Sequence, residues 1–316
     1  MKKVMLCIVW AALGFGCAST RATTSNGGAD SHEEVEPTMS NRASATSSEE
    51  NKLTKEVGEM SQTQTTKREQ VRALLKSLET GEQAPVAVIN PQKYIQHNLD
   101  VADGLAGFGA FLSEIPPGSI KVNTVRIFSD GDYVFAHSEY NLLGPKVGFD
   151  IFRFENGRIV EHWDNLATTA SLNPSGHSQI DGPTEVTDLD KTSANKKLVK
   201  SFVETVLINN KMETLGEFFD GDNYIQHNPD IADGVSGLGA ALEALAKQGI
   251  KMVYANNHFV LGEGNFVLSV SDGSFGGKPV AFYDLFRVSN QKIAEHWDVI
   301  ADIPSKEMHK NSNGKF

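Results

Sequence analysis

Residues 94–112 read YIQHNLDVADGLAGFGAFL, and residues 224–242 read YIQHNPDIADGVSGLGAAL. The second stretch lies 130 positions after the first. A second pair follows each: FDIFRFENGRIVEHWDNLA at 149–167 and YDLFRVSNQKIAEHWDVIA at 283–301, now 134 positions apart. The intervening segment has therefore gained four residues in the second copy. A period this long marks duplication of a whole domain, because solenoid repeats run at about 20–50 residues.

Working outward from these blocks, each copy shows the same order. An amphipathic helix is expected over about 66–79 and again over about 193–208, with Leu198, Phe202, Thr205 and Val206 at helical spacing. The YIQHN segment comes next. A short helix follows, with Asp103 or Asp233 placed to cap it by accepting backbone N–H bonds. Gly104, Gly107 and Gly109 at its start read as close packing; no phosphate-binding glycine motif occurs. Strands are expected over 120–129, 133–142, 147–155 and 158–165, separated by Asp130-Gly131-Asp132, Gly144-Pro145 and Asn156-Gly157. Asn-Gly between apolar runs is a strong hairpin signal. Helices followed by a strand meander give an α+β class, with helices packed on a curved antiparallel sheet.

The rest of the chain frames the two copies, 66–167 and 193–303. Residues 168–192 are rich in Gly, Pro, Ser, Thr and Asp and read as a linker, and 304–316 as a C-terminal tail. Residues 19–65 are rich in Ser, Thr and Glu and read as a disordered tether. Residues 1–18 read as an export signal: Lys2 and Lys3, an apolar run from Val4 to Phe15, then Gly16, Cys17 and Ala18. Two readings of the leader stand. Cys17 can be the lipidated residue of a periplasmic lipoprotein held on the membrane of a bacterial envelope, although Leu13 lies four residues before it rather than three. Alternatively, cleavage after Ala18 gives plain secretion.

Composition excludes several function classes. The 316-residue chain has a formal net charge of -11 and no basic block, which disfavours nucleic acid as a partner. Cys7 and Cys17 are its two cysteines, so the repeats carry no disulfide and no thiolate nucleophile. His97, His137, His162 and Asp150 lack the spacing of a metal site, and none is expected.

Two-residue loops at Asn156-Gly157 and Gly144-Pro145 would pair Phe152 with Glu161, Asp150 with Trp163 and His137 with Phe152. That register puts His137, Asp150, Phe152, Glu161 and Trp163 on one concave face, with His162 and Arg153 on the other. A concave sheet face under helices is a natural pocket. Asp150, set among apolar residues, reads as a desolvated base; the bland alternative is a structural carboxylate bonded to nearby strands or Arg153. His137 reads as a proton shuttle or as a satisfied core histidine. Tyr94 and His97, with Tyr224 and His227, are candidates for the pocket mouth or for a structural junction. Glu161 and Trp163 recur as Glu295 and Trp297, and are candidate pocket-wall residues.

The His137 strand, the Asp150-Ile151-Phe152-Arg153 strand and the hairpin through Glu161-His162-Trp163-Asp164 together resemble SnoaL-like polyketide cyclases. The resemblance covers both copies and implies two tandem cone-shaped domains of the nuclear transport factor 2 type. It also implies a small hydrophobic ligand, no cofactor, and Asp150 with His137 as catalytic residues of an isomerase, cyclase or lyase type of reaction. Domains of that family often pair sheet to sheet, so the copies are expected to form an internal pseudo-dimer. Asp284 matches Asp150, but Val270 stands where His137 does, which leaves catalysis by the second copy open. The alternative is a non-catalytic binding or protein-interaction module of the envelope, since this fold hosts many functions.

Overall fold

The computed structural model describes residues 43–116 and 118–316. The leader, Cys17 included, lies outside the described residues. Among the described residues no helix is long and apolar enough to cross a membrane. Leu53–Phe316 form one compact unit.

Both copies follow the expected plan. In the first, helix α1 (Ala43–Thr80) leads to β1 (Ile95–Gln96), α2 (Gly104–Ser113), β2 (Lys121–Asp130), β3 (Tyr133–Asn141), β4 (Pro145–Glu155) and β5 (Arg158–Thr168). In the second, α3 (Thr192–Phe202) runs on through a π-helical turn at Val203–Ile208. It is followed by β6 (Ile225–Gln226), α4 (Gly234–Lys247), β7 (Met252–Glu263), β8 (Phe266–Phe275), β9 (Lys278–Ser289) and β10 (Lys292–Asp302). The sheet orders are β1-β5-β4-β3-β2 and β6-β10-β9-β8-β7. The short first strand in each pairs parallel with the last, and every other pairing is antiparallel. The architecture is two tandem α+β cones. One difference concerns α1: it begins at Ala43, so residues 43–65, read as tether, are helical.

The registers differ from the expected ones, and the difference changes faces. Asn156 and Gly157 take positive φ, as their hairpin turn requires. A bulge then intervenes: Phe154 faces Ile159, but Arg153 faces Glu161. Val160 is the extra residue, so Asp150 faces Asp164 and Phe152 faces His162. The second copy has the same bulge, between Ile293 and Glu295. The β3–β4 loop holds three residues, with Leu143 and Gly144 at positive φ, so His137 faces Phe149 and Ala136 faces Asp150. Side chains alternate faces along a strand. Asp150, Phe152, His162 and Asp164 therefore share the helix-covered face. His137, Glu161 and Trp163 lie on the other.

That other face is the join between copies. Phe135, Phe149, Ile151 and Trp163 share one buried cluster with Phe266, Leu268, Tyr283 and Trp297. Each sheet thus has its own helices on one side and the other sheet on the other. The connecting segments cross over as well. After β5, Asn173 donates to the carbonyls of Gln226 (2.6 Å) and Ile231 (3.0 Å) of the second copy. After β10, Asn311 donates to Asn98 (2.7 Å) and Val101 (2.9 Å) of the first, and Asn313 to Gln96 (3.0 Å). Each copy is strapped by the chain that leaves the other.

Asn165 bridges the sheets from a fully buried position. Its Nδ2 donates to the carbonyls of Ala281 at 3.1 Å and Val299 at 2.7 Å. Asn165→Ala removes both bonds, and each hydrogen bond of this kind contributes about 0.5–1.5 kcal/mol net. We expect a loss of stability in that range or somewhat above it, read as a lower denaturant midpoint with unchanged slope.

Candidate active site

The recurring YIQHN and EHWD segments meet at β1–β5 and β6–β10, and that meeting builds the site. In the first copy, His162 Nε2 lies 3.2 Å from Asp150 Oδ1, and the Tyr140 hydroxyl donates to Asp150 Oδ2 at 2.6 Å. In the second, His296 Nε2 lies 3.1 Å from Asp284 Oδ1, and Tyr254 donates to both oxygens at 3.2 and 3.3 Å. Asn98 donates to Asp164 at 2.6 Å, and Asn228 to Asp298 at 2.7 Å.

The glutamine of YIQHN fixes the histidine's tautomer. Gln226 Oε1 accepts the N–H groups of His227 (2.9 Å) and Asn228 (3.0 Å), which orients it as an acceptor. His296 Nδ1, 3.0 Å away, must then carry a proton and donate it. The proton between Nε2 and Asp284 is therefore the mobile one. His162 and Gln96 repeat this at 3.1 Å. The rings of His162 and His296 stack on Phe152 and Phe286.

Electrostatics favour a shared proton. Burial opposes a charge on His296, but the Asp284 hydrogen bond and the fields of Asp298 and Asp284 outweigh it and hold the imidazolium above its usual range. Burial lifts the carboxyls of Asp150 and Asp298, against the pull of the neighbouring histidines. Tyr254 is driven well upward by burial and by Asp284, so it remains a donor.

The two hollows differ in size. The first encloses about 80 Å³, the second about 710 Å³. Ligand pockets span about 300–1,000 Å³. Repeat equivalence explains the difference: Phe108 and Phe111 line the small hollow where Leu238 and Ala241 line the large one. Tyr254 supplies the second copy's phenol from β7, at the position that Val122 occupies in β2. Ala167, Thr168 and Gln179, from the first copy and its connecting segment, complete the larger cavity's wall.

Several sequence-based assignments are corrected by this geometry. Tyr94, Asp150 and Phe152 line the first hollow, and Tyr224 and Asp284 line the second. His137 lies between the sheets, where its Nδ1 is 3.2 Å from Arg126 Nη1. Burial, then the Arg126 charge, hold it well below its usual pKa, so it is a neutral acceptor. Its replacement by Val270 leaves the second site untouched. His97 stacks on Trp163 and bonds Glu161 at 2.8 Å; His227 stacks on Trp297 and bonds Glu295 at 2.8 Å. Arg153 and Arg287 close these clusters through Glu161 and Glu295, on the inter-copy face. His97 and His227 also reach the strap carbonyls of Gly314 (2.9 Å) and Ser178 (2.8 Å). Asp103 and Asp233 accept the N–H of Gln96 and Gln226 rather than capping their helices.

The residues that sequence reasoning missed are His162, His296, Asp164, Asp298 and the Gln–Asn pairs of YIQHN. Their signal was present as exact recurrence in both copies. The Asp–His–Asp sets (Asp150, His162, Asp164 and Asp284, His296, Asp298) are close enough to hold a metal ion, as are His177, Asp181 and His227. The first two sets are satisfied by the tautomer and hydrogen bonds just described.

No protein-family model and no curated protein matches the chain. Solved structures similar to it include IdmH, a putative polyketide cyclase from Streptomyces antibioticus (14% identity, 31% of this chain and 89% of that one, TM-score 0.27). A putative ketosteroid isomerase from Kribbella flavida is 16% identical over 39% of this chain and 93% of its own, with a TM-score of 0.30. An M. tuberculosis LEH-like epoxide hydrolase is 21% identical over 35% and 85%, with a TM-score of 0.28. Each spans about one copy's length.

Asp298 supplies a test of these electrostatics. Its carboxyl is raised in the folded state, so ionisation is resisted by the fold at neutral pH and the penalty vanishes below the unfolded value, about 3.9. Asp298→Asn is expected to be more stable than the parent at pH 7. The gain should shrink as pH falls towards 4, read from paired urea titrations.

Proposed function

We propose that the second copy binds a small hydrophobic carbonyl compound and moves a proton on it without a cofactor. The reaction is of the isomerase, cyclase or lyase type. The observation that carries this reading is the Asp284–His296 pair, 3.1 Å apart, at the polar end of an apolar-lined cavity of about 710 Å³. The catalytic copy is thus the second, whereas the sequence pointed to the first. The first hollow retains the same pair but is too small for such a ligand.

The chemistry follows from the geometry. The Asp284 carboxylate takes a proton from the carbon next to the carbonyl. The C–H electron pair becomes the enolate, with its charge on oxygen. His296, held protonated by Asp284 and Gln226, supplies or relays the proton that returns to carbon or oxygen. Water exclusion by Phe202, Leu242, Leu245 and Phe286 strengthens each of these interactions.

We infer further that the two copies form an internal pseudo-dimer. The shared core and the reciprocal straps support it, because mutual exchange of equivalent segments is what a two-fold pair makes. Export through the basic and apolar leader, with Cys17 as the lipid-bearing residue, completes the proposal for an envelope protein.

The test uses 2-tetralone as a probe of enolisation. In deuterium oxide the protein should accelerate exchange of its α-protons. Asp284→Asn should reduce that rate by about 10²–10⁴-fold, the usual contribution of a general base. Leu238→Phe with Ala241→Phe, which rebuilds the aromatic filling of the first copy, should abolish exchange with the fold intact by circular dichroism. Exchange that survives Asp284→Asn within about threefold refutes the assignment.

A further inference from the structure

Three aspartates at the polar end of each copy are equivalent by repeat: Asp100, Asp150 and Asp164 in the first, Asp230, Asp284 and Asp298 in the second. In the first copy an ammonium group sits beside one of them, Asp164. Lys315, on the strap that arrives from the second copy, donates from Nζ to the Asp164 carbonyl at 2.5 Å and lies 3.8 Å from its carboxylate. Its side chain is only 12% exposed. Burial holds its ammonium below the usual lysine range, against the pull of Asp164, Asp100 and Asp150.

The second copy has the acids without the ammonium. Asp230, Asp284 and Asp298 all line the large cavity, and among the described residues no lysine or arginine lines it. The first copy's strap repeats the Asn-x-x-Gly pattern, Asn173 to Gly176 against Asn311 to Gly314. The contacts set the equivalence two residues further on: His177 meets Asp233 at 3.1 Å as Asn313 meets Asp103, and the Ser178 carbonyl meets His227 as that of Gly314 meets His97. The neutral Gln179, which lines the second cavity, therefore stands where Lys315 does. Asp284 and Asp298 are buried, whereas Asp230 is exposed. His296 can neutralise one of the buried pair, which leaves the other without a counter-charge. Of the outer acids, Asp302 has Lys278 at 3.9 Å. Buried carboxylates without a counter-charge are costly, and a bound cation relieves that cost.

We propose that the ligand of the second cavity is a hydrophobic molecule bearing a protonated amine, which occupies beside Asp298, with Asp284 and Asp230 also lining the cavity, the place that Lys315 takes beside Asp164 in the first copy. The proposal rests on the reading of this cavity as the ligand site and narrows its ligand class. The apolar body lies against Phe202, Leu238, Leu242, Leu245, Met252 and Phe286. The ammonium binds beside carboxylates that a neutral ligand would leave without a counter-charge.

Three probes of one shape test this in the full chain: 2-aminotetralin, 2-tetralol and 1,2,3,4-tetrahydro-2-naphthoate, compared by calorimetry at pH 7. The amine is expected to bind at least about tenfold tighter than the alcohol, and the carboxylate most weakly. Asp298→Asn and, separately, Asp230→Asn should each reduce the amine's advantage. The first is expected to gain stability, so its loss of binding cannot be ascribed to unfolding. Leu238→Phe with Ala241→Phe should abolish amine binding. Equal affinity for amine and alcohol, or binding that survives the double phenylalanine variant, overturns the proposal. So does Zn²⁺ alone binding in an Asp298-dependent way while the amine does not. If 2-tetralone exchange persists with no preference for the amine, the cation assignment fails and the acid/base reading stands. If neither probe class binds, both fail.

Discussion

One extra residue in β5, and its counterpart in β10, decides which side chains face each hollow and which face the other copy. A β-hairpin without the bulge would send His162 to the face shared by the two sheets and bring Trp163 under the helices. The bulge at Val160 reverses that order. It places the imidazole beside Asp150 and turns Trp163 and Glu161 towards the other copy. The same bulge at Ala294 does this for His296, Trp297 and Glu295. The proton pair and the inter-copy joint are thus two consequences of one backbone irregularity, since alternation along the strand assigns His to one and its neighbours to the other.

This also explains which features were legible in the sequence. The duplication, the helix-then-meander order and the Asn156-Gly157 turn depend on local pattern, and all of them hold in the structure. The register does not depend on local pattern alone. Nothing in Arg158-Ile159-Val160-Glu161 distinguishes a bulged residue from a paired one, because Ile159 and Val160 are both apolar and both fully buried. A one-residue error there moved His162 off the site. A three-residue loop at Leu142, Leu143 and Gly144, read as two, moved His137 onto it. Cavity size was legible only after equivalence was fixed, when Phe108 and Phe111 could be set against Leu238 and Ala241.

The inter-copy face accounts for residues whose recurrence invited a catalytic reading. His97, Glu161, Arg153 and Trp163 form one satisfied set, and His227, Glu295, Arg287 and Trp297 form its twin. Each set receives a strap from the opposite copy. Arg126 adds a contact in one direction: it donates to the carbonyls of Pro183, Ile180 and Asp181 and lies 4.1 Å over the Trp297 ring. Recurrence in both copies therefore marks the joint as strongly as the pocket, and pattern alone could not separate the two.

Duplication relaxes the demand that both hollows do the same work. The first copy has filled its hollow with Phe108, Phe111 and Tyr140 and placed Lys315 beside Asp164. Both changes satisfy groups that would otherwise face empty space or an uncompensated charge, and both favour stability. The second copy differs. Leu238 and Ala241 stand where Phe108 and Phe111 do, and the phenol on the aspartate comes from Tyr254 on β7, opposite Gly273. The hydroxyl-to-aspartate bond is present in both copies, with less aromatic bulk around it in the second. The second cavity thus keeps the buried acids Asp284 and Asp298 with His296 alone between them, whereas the first sets Lys315 beside Asp164. The first copy also contributes Ala167 and Thr168 to the second cavity's wall, so the two copies build that hollow together.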